Sequence, residues 1–301
     1  MSALTYDELI ELNDGRRPVI DVPCPLCSPF HNPLRKVLRV WCDIPRFIRY
    51  HCIRCGTKGW AHDGVRCKGQ LSSSEREAVQ HLRCEAERRE HAESAKQLDK
   101  ARWLWSKSHP AAGSIVEQYL RECRHYRGPI PSTLHFVSPH KAEHHPAMIA
   151  AFGIPSESTP GMLDEIWAHD IAGVHLTLLR PDGSEKADIS PNKIMVGKSG
   201  GSPLVLAPPN DLLGLLVTEG IEDALSLHEA TGLGAWAAGS ASRMPALAPA
   251  IPSYAGAITV VMDADPAGRT NASLLAVALR NRGFFVEILP PQHEQRQGFA
   301  A

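Results

Sequence analysis

The spacing of apolar and polar residues changes character several times along this chain, and each change predicts a different element. KVLRVWC and RFIRYHC read as two short strands, with Asp43-Ile44-Pro45 as the turn between them. Residues 72–107 then contain neither Gly nor Pro and are rich in Glu, Arg, Ala and Lys. Ser74 with Glu77 three residues on forms a capping box, which predicts a long, largely solvated helix. IVEQYLREC predicts a second helix over 114–123, and the Pro- and His-rich 124–146 read as loop with one short strand at TLHFV. AMIAAFGI, EIWAHDI and GVHLTLLRPDGSEK predict an antiparallel meander, with Asp182-Gly183 at a hairpin tip. The last third has another rhythm. LGLLVT, LGAWAAG, AITVVM and FFVEIL are continuous apolar runs, interleaved with the helical EGIEDALSLHEATG and RTNASLLAVALRNRG. Strands without polar alternation, separated by helices, predict a parallel sheet covered on both faces. The fold class is therefore multidomain α+β and α/β. Its four segments are a front domain over 1–70, a helical linker over 71–128, a small mixed subdomain over 129–206 and an α/β domain over 207–301.

Composition fits several units: 301 residues, 43% of them hydrophobic. The formal net charge of −1 selects no partner, but its distribution does. Residues 16–60 carry nine Lys/Arg against two acids, a net of +7, whereas residues 201–301 carry five against nine, a net of −4. A basic front suits a polyanion, and an acidic back suits cations. The N-terminal segment is amphipathic and acidic, and no apolar run approaches the roughly 18 residues of a membrane span. We therefore expect a soluble cytoplasmic protein that engages no membrane. In that reducing setting the eight cysteines point to metal rather than to disulfides.

Four cysteines form two Cys-x-x-Cys pairs, Cys24/Cys27 and Cys52/Cys55, with 24 residues between them. Each pair offers two thiolates from one knuckle, and together they complete a tetrahedron around a structural Zn²⁺ with no open position. Cys42, Cys67, Cys84 and Cys123 lack paired spacing and read as ordinary thiols; His31 and His51 are weaker ligand candidates than the paired cysteines. Around this zinc ribbon, Arg39, Trp41, Arg46, Phe47, Arg49, Tyr50 and Trp60 interleave cations with aromatics. Such a surface neutralises phosphates and stacks on unpaired bases. At least one of Trp41, Phe47 and Tyr50 is needed for the ribbon's own small core. His135, His140, His144 and His145 have no ligand spacing and read as surface residues.

In the last third, Glu219 follows one predicted strand, and Asp263 and Asp265 follow another. In open parallel sheets, ligands gather at the carboxyl ends of strands. Three carboxylates there make an all-oxygen site suited to hard divalent cations such as Mg²⁺. Gly220 and Gly268 are expected to let the backbone turn sharply beside it. The competing reading of the Asp-x-Asp is a helix N-cap. Lys186, Lys193 and Lys198 lie on expected irregular backbone, where they suit either phosphate binding or a solvated loop.

TEGIEDALS together with VVMDADPAG resembles the Toprim domain, whose hallmark is a Glu-Gly after one strand and an Asp-x-Asp after a later one. Toprim domains occur in bacterial-type DNA primases, topoisomerases, nucleases and recombination mediators. A four-cysteine ribbon, helical linker, small mixed subdomain and Toprim domain, in that order, look like the bacterial and phage primases. YHCIRCGTKGW resembles the second knuckle of the primase zinc domain. EKADISPNKIMVGKSGG lies where those primases carry a lysine-containing nucleotide-binding segment. The resemblance implies DNA-directed synthesis of short RNA primers by two-metal nucleotidyl transfer. Glu219, Asp263 and Asp265 would be catalytic, and with Asp223 they would hold Mg²⁺ or Mn²⁺. Lys186, Lys193 and Lys198 would steady ribonucleoside triphosphates or template, and the ribbon would read single-stranded DNA. There is no Gly-x-x-x-x-Gly-Lys-Ser/Thr phosphate loop, nor the replicative primase's C-terminal helicase-binding domain. The implied protein is a mobile-element or prophage primase that uses a helicase in trans. The same motifs leave two alternatives, a Toprim nuclease and a non-enzymatic zinc/Toprim recombination mediator.

Overall fold

The computed structural model describes residues 4–13, 17–30, 34–44, 46–63, 73–141 and 143–291, with side chains in the long helix from residue 80 onward. Pro45 of the expected turn, His31, Cys67 and the side chains of Ser74 and Glu77 lie outside the described residues. Two compact units result, Met1–Arg89 and Glu90–Ala301.

In the first unit, helix α1 (Tyr6–Asn13) precedes strands β1 (Val19–Pro23), β2 (Lys36–Ile44), β3 (Phe47–Cys52) and β4 (Lys58–His62), which form an antiparallel sheet in that order. β2 and β3 are the two expected strands; the flanking β1 and β4 were too short to stand out in sequence. Alternation sorts the side chains by face. Leu38, Val40, Ile48, Tyr50 and Cys52 are buried with Leu4 and Leu9, while Arg39, Trp41, Phe47, Arg49, His51 and Trp60 occupy the opposite face. Tyr50 is thus the aromatic that the core claims. Its hydroxyl accepts the Leu4 amide at 3.1 Å. Gly59 pairs with it across the strands; a Cβ there would lie 2.6 Å from the Tyr50 oxygen.

Helix α2 (Ser73–Ser106) has 34 residues and, at about 1.5 Å per residue, spans about 51 Å. Most of its described side chains are exposed, as its composition predicts. Its last turns are not: Ala101 and Trp105 are buried, and the Trp105 indole donates to the Ile166 carbonyl at 2.9 Å. That ring stacks on His135 at 4.0 Å. His135, expected at the surface, is buried and bonded to Ser108 at 2.7 Å.

The second unit holds two five-stranded sheets. The first is an antiparallel meander of β5 (His109–Pro110), β6 (Leu134–Val137), β7 (Ala147–Phe152), β8 (Gly173–Leu178) and β9 (Lys193–Gly197). EIWAHDI contributes no strand. It forms a turn whose Ile166 and Ile171 are buried, so its apolar content reflects packing and not pairing. The hairpin at Asp182-Gly183 does form, closed by the Leu179–Lys186 bridge with Gly183 at φ +70°. Helix α3 (Ile115–Gln118), capped by the Ser114 side chain, runs into a π-helical turn, Tyr119–Cys123.

The second sheet comprises β10 (Leu204–Ala207), β11 (Gly214–Thr218), β12 (Gly234–Ala237), β13 (Ala257–Val261) and β14 (Phe285–Leu289), ordered β10-β12-β11-β13-β14. The last four are parallel, as the unalternating runs require, while β10 adds an antiparallel edge. α4 (Ile221–Thr231) connects β11 to β12, and α5 (Pro266–Asn281) connects β13 to β14. The β12–β13 connection carries a 3₁₀ segment, Ala241–Ala250, whose Pro245 and Pro249 preclude an α-helical ladder. One core joins the two sheets: Val116, Tyr119, Leu134, Met148 and Phe152 pack with Leu204, Leu216, Ile221 and Leu225. Among the described residues no helix is long and apolar enough to cross a membrane.

Candidate metal centres and the acidic strand tips

β11 is flanked by β12 on one side and β13 on the other, so the strand order reverses at β11. Val217 pairs with Val260. Glu219 follows β11 directly, and Asp263 follows β13 by two residues, which brings both acids to one edge of neighbouring parallel strands. The N-termini of α4 and α5 begin at this same edge, and their dipoles favour negative charge there. Asp265 is also the N-cap of α5: its Oδ1 accepts the Gly268 amide at 2.6 Å. Cap and cluster are thus compatible roles, because the second oxygen is not needed for the cap.

Crowding shows in the electrostatics. Burial, then the charges of Asp263 and Asp265, pushes the Glu219 carboxyl up to about 7. Burial, then Asp223 and Asp265, raises Asp263 as well. The two glycines act differently from the expected sharp turn. Gly220 has φ −98°, and neither glycine is in the left-handed region. They provide clearance: a Cβ on Gly220 would meet Asp223 Oδ2 at 2.6 Å, and one on Gly268 would meet Asp263 Cβ at 2.6 Å.

Among the described residues, no three of these carboxylates bring oxygens within 4.8 Å of one another; the cysteines alone reach that spacing. The donor set nevertheless suits a hard divalent cation, being all oxygen and held in mutual repulsion that such a cation relieves.

The four expected cysteines converge. Cys24 follows β1, Cys52 ends β3, and Leu38 of β2 pairs with both Val22 and Cys52, which places the knuckles at one end of the sheet. The Sγ atoms of Cys24 and Cys55 are 3.9 Å apart, and those of Cys27 and Cys52 are 3.7 Å apart. A tetrahedron with Zn–S bonds of about 2.3 Å has edges of about 3.8 Å, so the thiols fit Zn²⁺. Burial raises the Cys27 thiol. Burial acts likewise on Cys55, but hydrogen bonding with Thr57 outweighs it and brings that thiol down to about 7.

On the outer face of the ribbon, Phe47 stacks on Trp60 at 5.8 Å, and Trp60 on His62 at 6.0 Å. The Arg49 guanidinium lies 5.7 Å from the Trp41 ring centre. Arg39 is held by a bidentate bond to Asp21, and Arg49 by Asp43. Trp60 is 62% exposed.

The three lysines are not equivalent. Lys186 forms an ion pair with Glu222, Nζ to Oε1 2.6 Å. Lys193 opens β9, on regular rather than irregular backbone, and is exposed. Its charge acts on Glu219, Asp263 and Glu222. Lys198 follows β9 and is exposed. Sequence reasoning missed Glu222. Burial would raise its carboxyl, but Lys186 and Lys193 hold it down at about 2. The available signal was a third acid in EGIEDALS, on a helix turn expected to be buried.

Comparison with known proteins bears on both halves of the second unit. Residues 95–206 match a domain of unknown function (DUF7146). No curated protein matches the chain. The chain is similar to the zinc-binding and RNA polymerase domains of the Aquifex aeolicus primase, at 16% identity and TM-score 0.38, covering 97% of this chain and 80% of that one. It is also similar to the primase fragment of the bacteriophage T7 primase-helicase protein, at 13% identity and TM-score 0.36, covering 89% and 88%. Residues 214–297 match the Toprim domain family, a span that contains the Glu-Gly after β11 and the Asp-x-Asp after β13.

Proposed function

We propose that this protein is a DNA primase that synthesises short RNA primers on single-stranded DNA by metal-dependent nucleotidyl transfer. The observation that carries the reading is the combination, in one chain, of Toprim acids at adjacent strand tips with a four-thiolate ribbon bearing stacked aromatics between arginines. The acids suit phosphoryl transfer, and the ribbon face suits unpaired bases. A nuclease does not need the ribbon; a mediator pairs a zinc site with a Toprim domain but has a shorter zinc loop than the 24 residues between these cysteine pairs.

In this reading Asp263, Asp265, Glu219 and Asp223 hold Mg²⁺ or Mn²⁺, and Cys24, Cys27, Cys52 and Cys55 hold Zn²⁺. The divalent ion, when bound, would supply Lewis acidity for attack of a 3′-hydroxyl on the α-phosphate of the next ribonucleoside triphosphate, with the α–β bond breaking and pyrophosphate leaving. Glu219 completes the donor set from β11 or carries the hydroxyl proton. Lys193 and Lys198 face the phosphates. Trp41, Phe47 and Trp60 stack on template bases, while Arg39 and Arg49 neutralise its backbone.

The test is incubation of the purified protein with single-stranded DNA, labelled ribonucleotides and Mg²⁺. New short labelled oligomers that vanish in the Asp263→Asn variant support the proposal. A shortened template without them identifies a nuclease instead, and strand annealing with neither product identifies a mediator.

A further inference from the structure

Glu222 sits in the first turn of α4, three residues beyond Glu219, but its carboxylate engages the neighbouring antiparallel layer. Its Oε1 takes Lys186 Nζ at 2.6 Å and the Tyr119 hydroxyl at 3.0 Å. That hydroxyl accepts Arg124 Nε at 2.8 Å, and Arg124 Nη2 reaches Glu185 Oε1 at 3.1 Å. Glu185 precedes Lys186, so a ring closes through α4, the π-helical turn and the 179–186 hairpin. Its charges balance, two acids against two bases. Tyr119 is fully buried, and the Glu222 side chain is only 11% exposed.

Stability alone gives no reason for such a ring. Replacing a buried ion pair by apolar packing is often neutral or stabilising, which directs attention from stability to what the ring positions. The π-helical turn that presents Tyr119 is itself a feature concentrated at functional sites. The second lysine supplies the object of the positioning. Among the described residues Lys193 makes no ion pair. It pairs with Thr177 of β8, and His175 of the same strand packs beside Gly239, where a Cβ would lie 3.5 Å from the imidazole; the Gly239 amide donates to the Glu219 carbonyl at 2.9 Å. The Lys193 charge accordingly acts on Glu222, Glu219 and Asp263. Glu222 therefore neutralises the lysine it touches and, among the described residues, leaves Lys193 as an unpaired cation near the acids.

We propose that Glu222 is a positioning residue for a triphosphate-bearing substrate: acting through Lys186, it holds the 179–186 hairpin and Lys193 beside the acidic strand tips, where Lys193 meets the phosphates. This inference rests on the nucleotidyl-transfer reading of the site and adds a residue and a role to it. Lys186 becomes a tether and Lys193 the phosphate contact.

The test uses the full chain and two readouts, calorimetric affinity for inorganic tripolyphosphate with Mg²⁺ and steady-state primer synthesis. In E222Q, tripolyphosphate affinity should fall about tenfold and the ribonucleotide KM should rise about tenfold, so that kcat/KM drops mainly through KM. K186M should match it, and the double variant should be no weaker than either single, because both remove one interaction. Y119F should lose about threefold with a modestly lowered Tm, since it deletes two hydrogen bonds, Tyr119 to Glu222 and Arg124 to Tyr119, and keeps the ion pair and the packing. Wild-type affinity and KM in E222Q, additive losses in the double variant, or a change confined to Tm would overturn the proposal. Should E222Q fail to fold, wild-type behaviour of both Y119F and K186M overturns it equally. If the wild type makes no primers while the tripolyphosphate results hold, the primase reading falls and the positioning role stands. If primers are made and tripolyphosphate affinity ignores Glu222, the positioning role falls alone.

Discussion

Gly268 and Asp263 are packed so closely that a single added methyl cannot fit: a Cβ on Gly268 would lie 2.6 Å from Asp263 Cβ and 3.1 Å from its backbone oxygen. In an open helix turn, Gly→Ala would stabilise by about 1 kcal/mol. Here the neighbour is largely backbone and cannot swing aside, so the clash decides the sign. We expect Gly268→Ala to lose about 1–3 kcal/mol in chemical denaturation and to weaken divalent-ion binding. Gly220→Ala is the contrast. Its Cβ would meet Asp223 Oδ2 at 2.6 Å, with Asp223 Cγ and Glu222 Oε2 at ordinary contact distance, all of them on flexible side chains. A near-normal Tm with altered metal affinity is expected there. Equal Tm losses in the two variants would show that clearance at Asp263 is not special.

Asp265 separates its two roles by the choice of substitution. Asn caps a helix about as well as Asp, whereas Ala costs about 1 kcal/mol. Asp265→Asn should therefore keep wild-type stability, and Asp265→Ala should lose that amount; both should abolish primer synthesis. Asp263→Asn should likewise abolish synthesis while raising metal-free stability, because the carboxylate crowding that raises Asp263 is relieved. Primer synthesis by either Asn variant would remove these acids from the proposed centre.

How far the sequence foretold this follows from what each element is made of. The Toprim sheet was legible because its strands are apolar on both faces and its acids stand directly after them. The cysteine pairs were legible because their spacing is their chemistry. β1 and β4 of the ribbon were not: five residues each with partial burial give too few alternations to register. EIWAHDI misled because packing a turn against α2 needs the same apolar residues as a strand. The Glu222–Lys186 pair was out of reach for another reason. It joins residues 36 positions apart in sequence through the docking of two sheets, and local pattern carries no trace of that.

A buried histidine and a half-buried glutamate should give the stability profile opposing slopes. His175 is 2% exposed. Burial, then Lys193, lowers its imidazole to about 4 from an ordinary 6.5. The unfolded chain therefore binds more protons between those values, and stability is lost as pH falls from 6.5 to 4, by about 3 kcal/mol at most. Glu219, raised to about 7 from 4.5, works the other way: the folded state binds more protons, and stability is lost as pH rises from 4.5 to 7 in metal-free buffer. His175→Leu should flatten the acid limb, and Glu219→Gln should flatten the other. Urea midpoints across pH 4–8 would check both, and an unchanged profile in either variant would refute its assignment.

The zinc site makes a stoichiometric claim. One zinc per chain is expected by metal analysis, and Cys52→Ser with Cys55→Ser should abolish it. Because Cys24, Cys27 and Cys52 belong to the ribbon core, zinc removal by a chelator should unfold the first unit. Retained stoichiometric zinc in the double variant would refute the ligand set.

Trp60 tests the ribbon face without touching its core. The ring is largely exposed yet held between Phe47 and His62, an arrangement suited to stacking. Base stacking on such a ring is worth roughly 1–3 kcal/mol, so Trp60→Ala should weaken binding of single-stranded DNA by about fivefold to 150-fold. Tm should change little, because little burial is lost. Ile53 is as exposed, at 67%, and aliphatic, so Ile53→Ala serves as the control and should bind normally. The arginines should differ in kind. If Arg49 leaves Asp43 for a template phosphate as proposed, Arg49→Ala should reduce the slope of log affinity against log salt by about 0.7, the value for one phosphate contact on a single strand. Trp60→Ala should leave that slope alone. Wild-type affinity in Trp60→Ala, or a changed salt slope there and none in Arg49→Ala, would mean that this face does not carry the template.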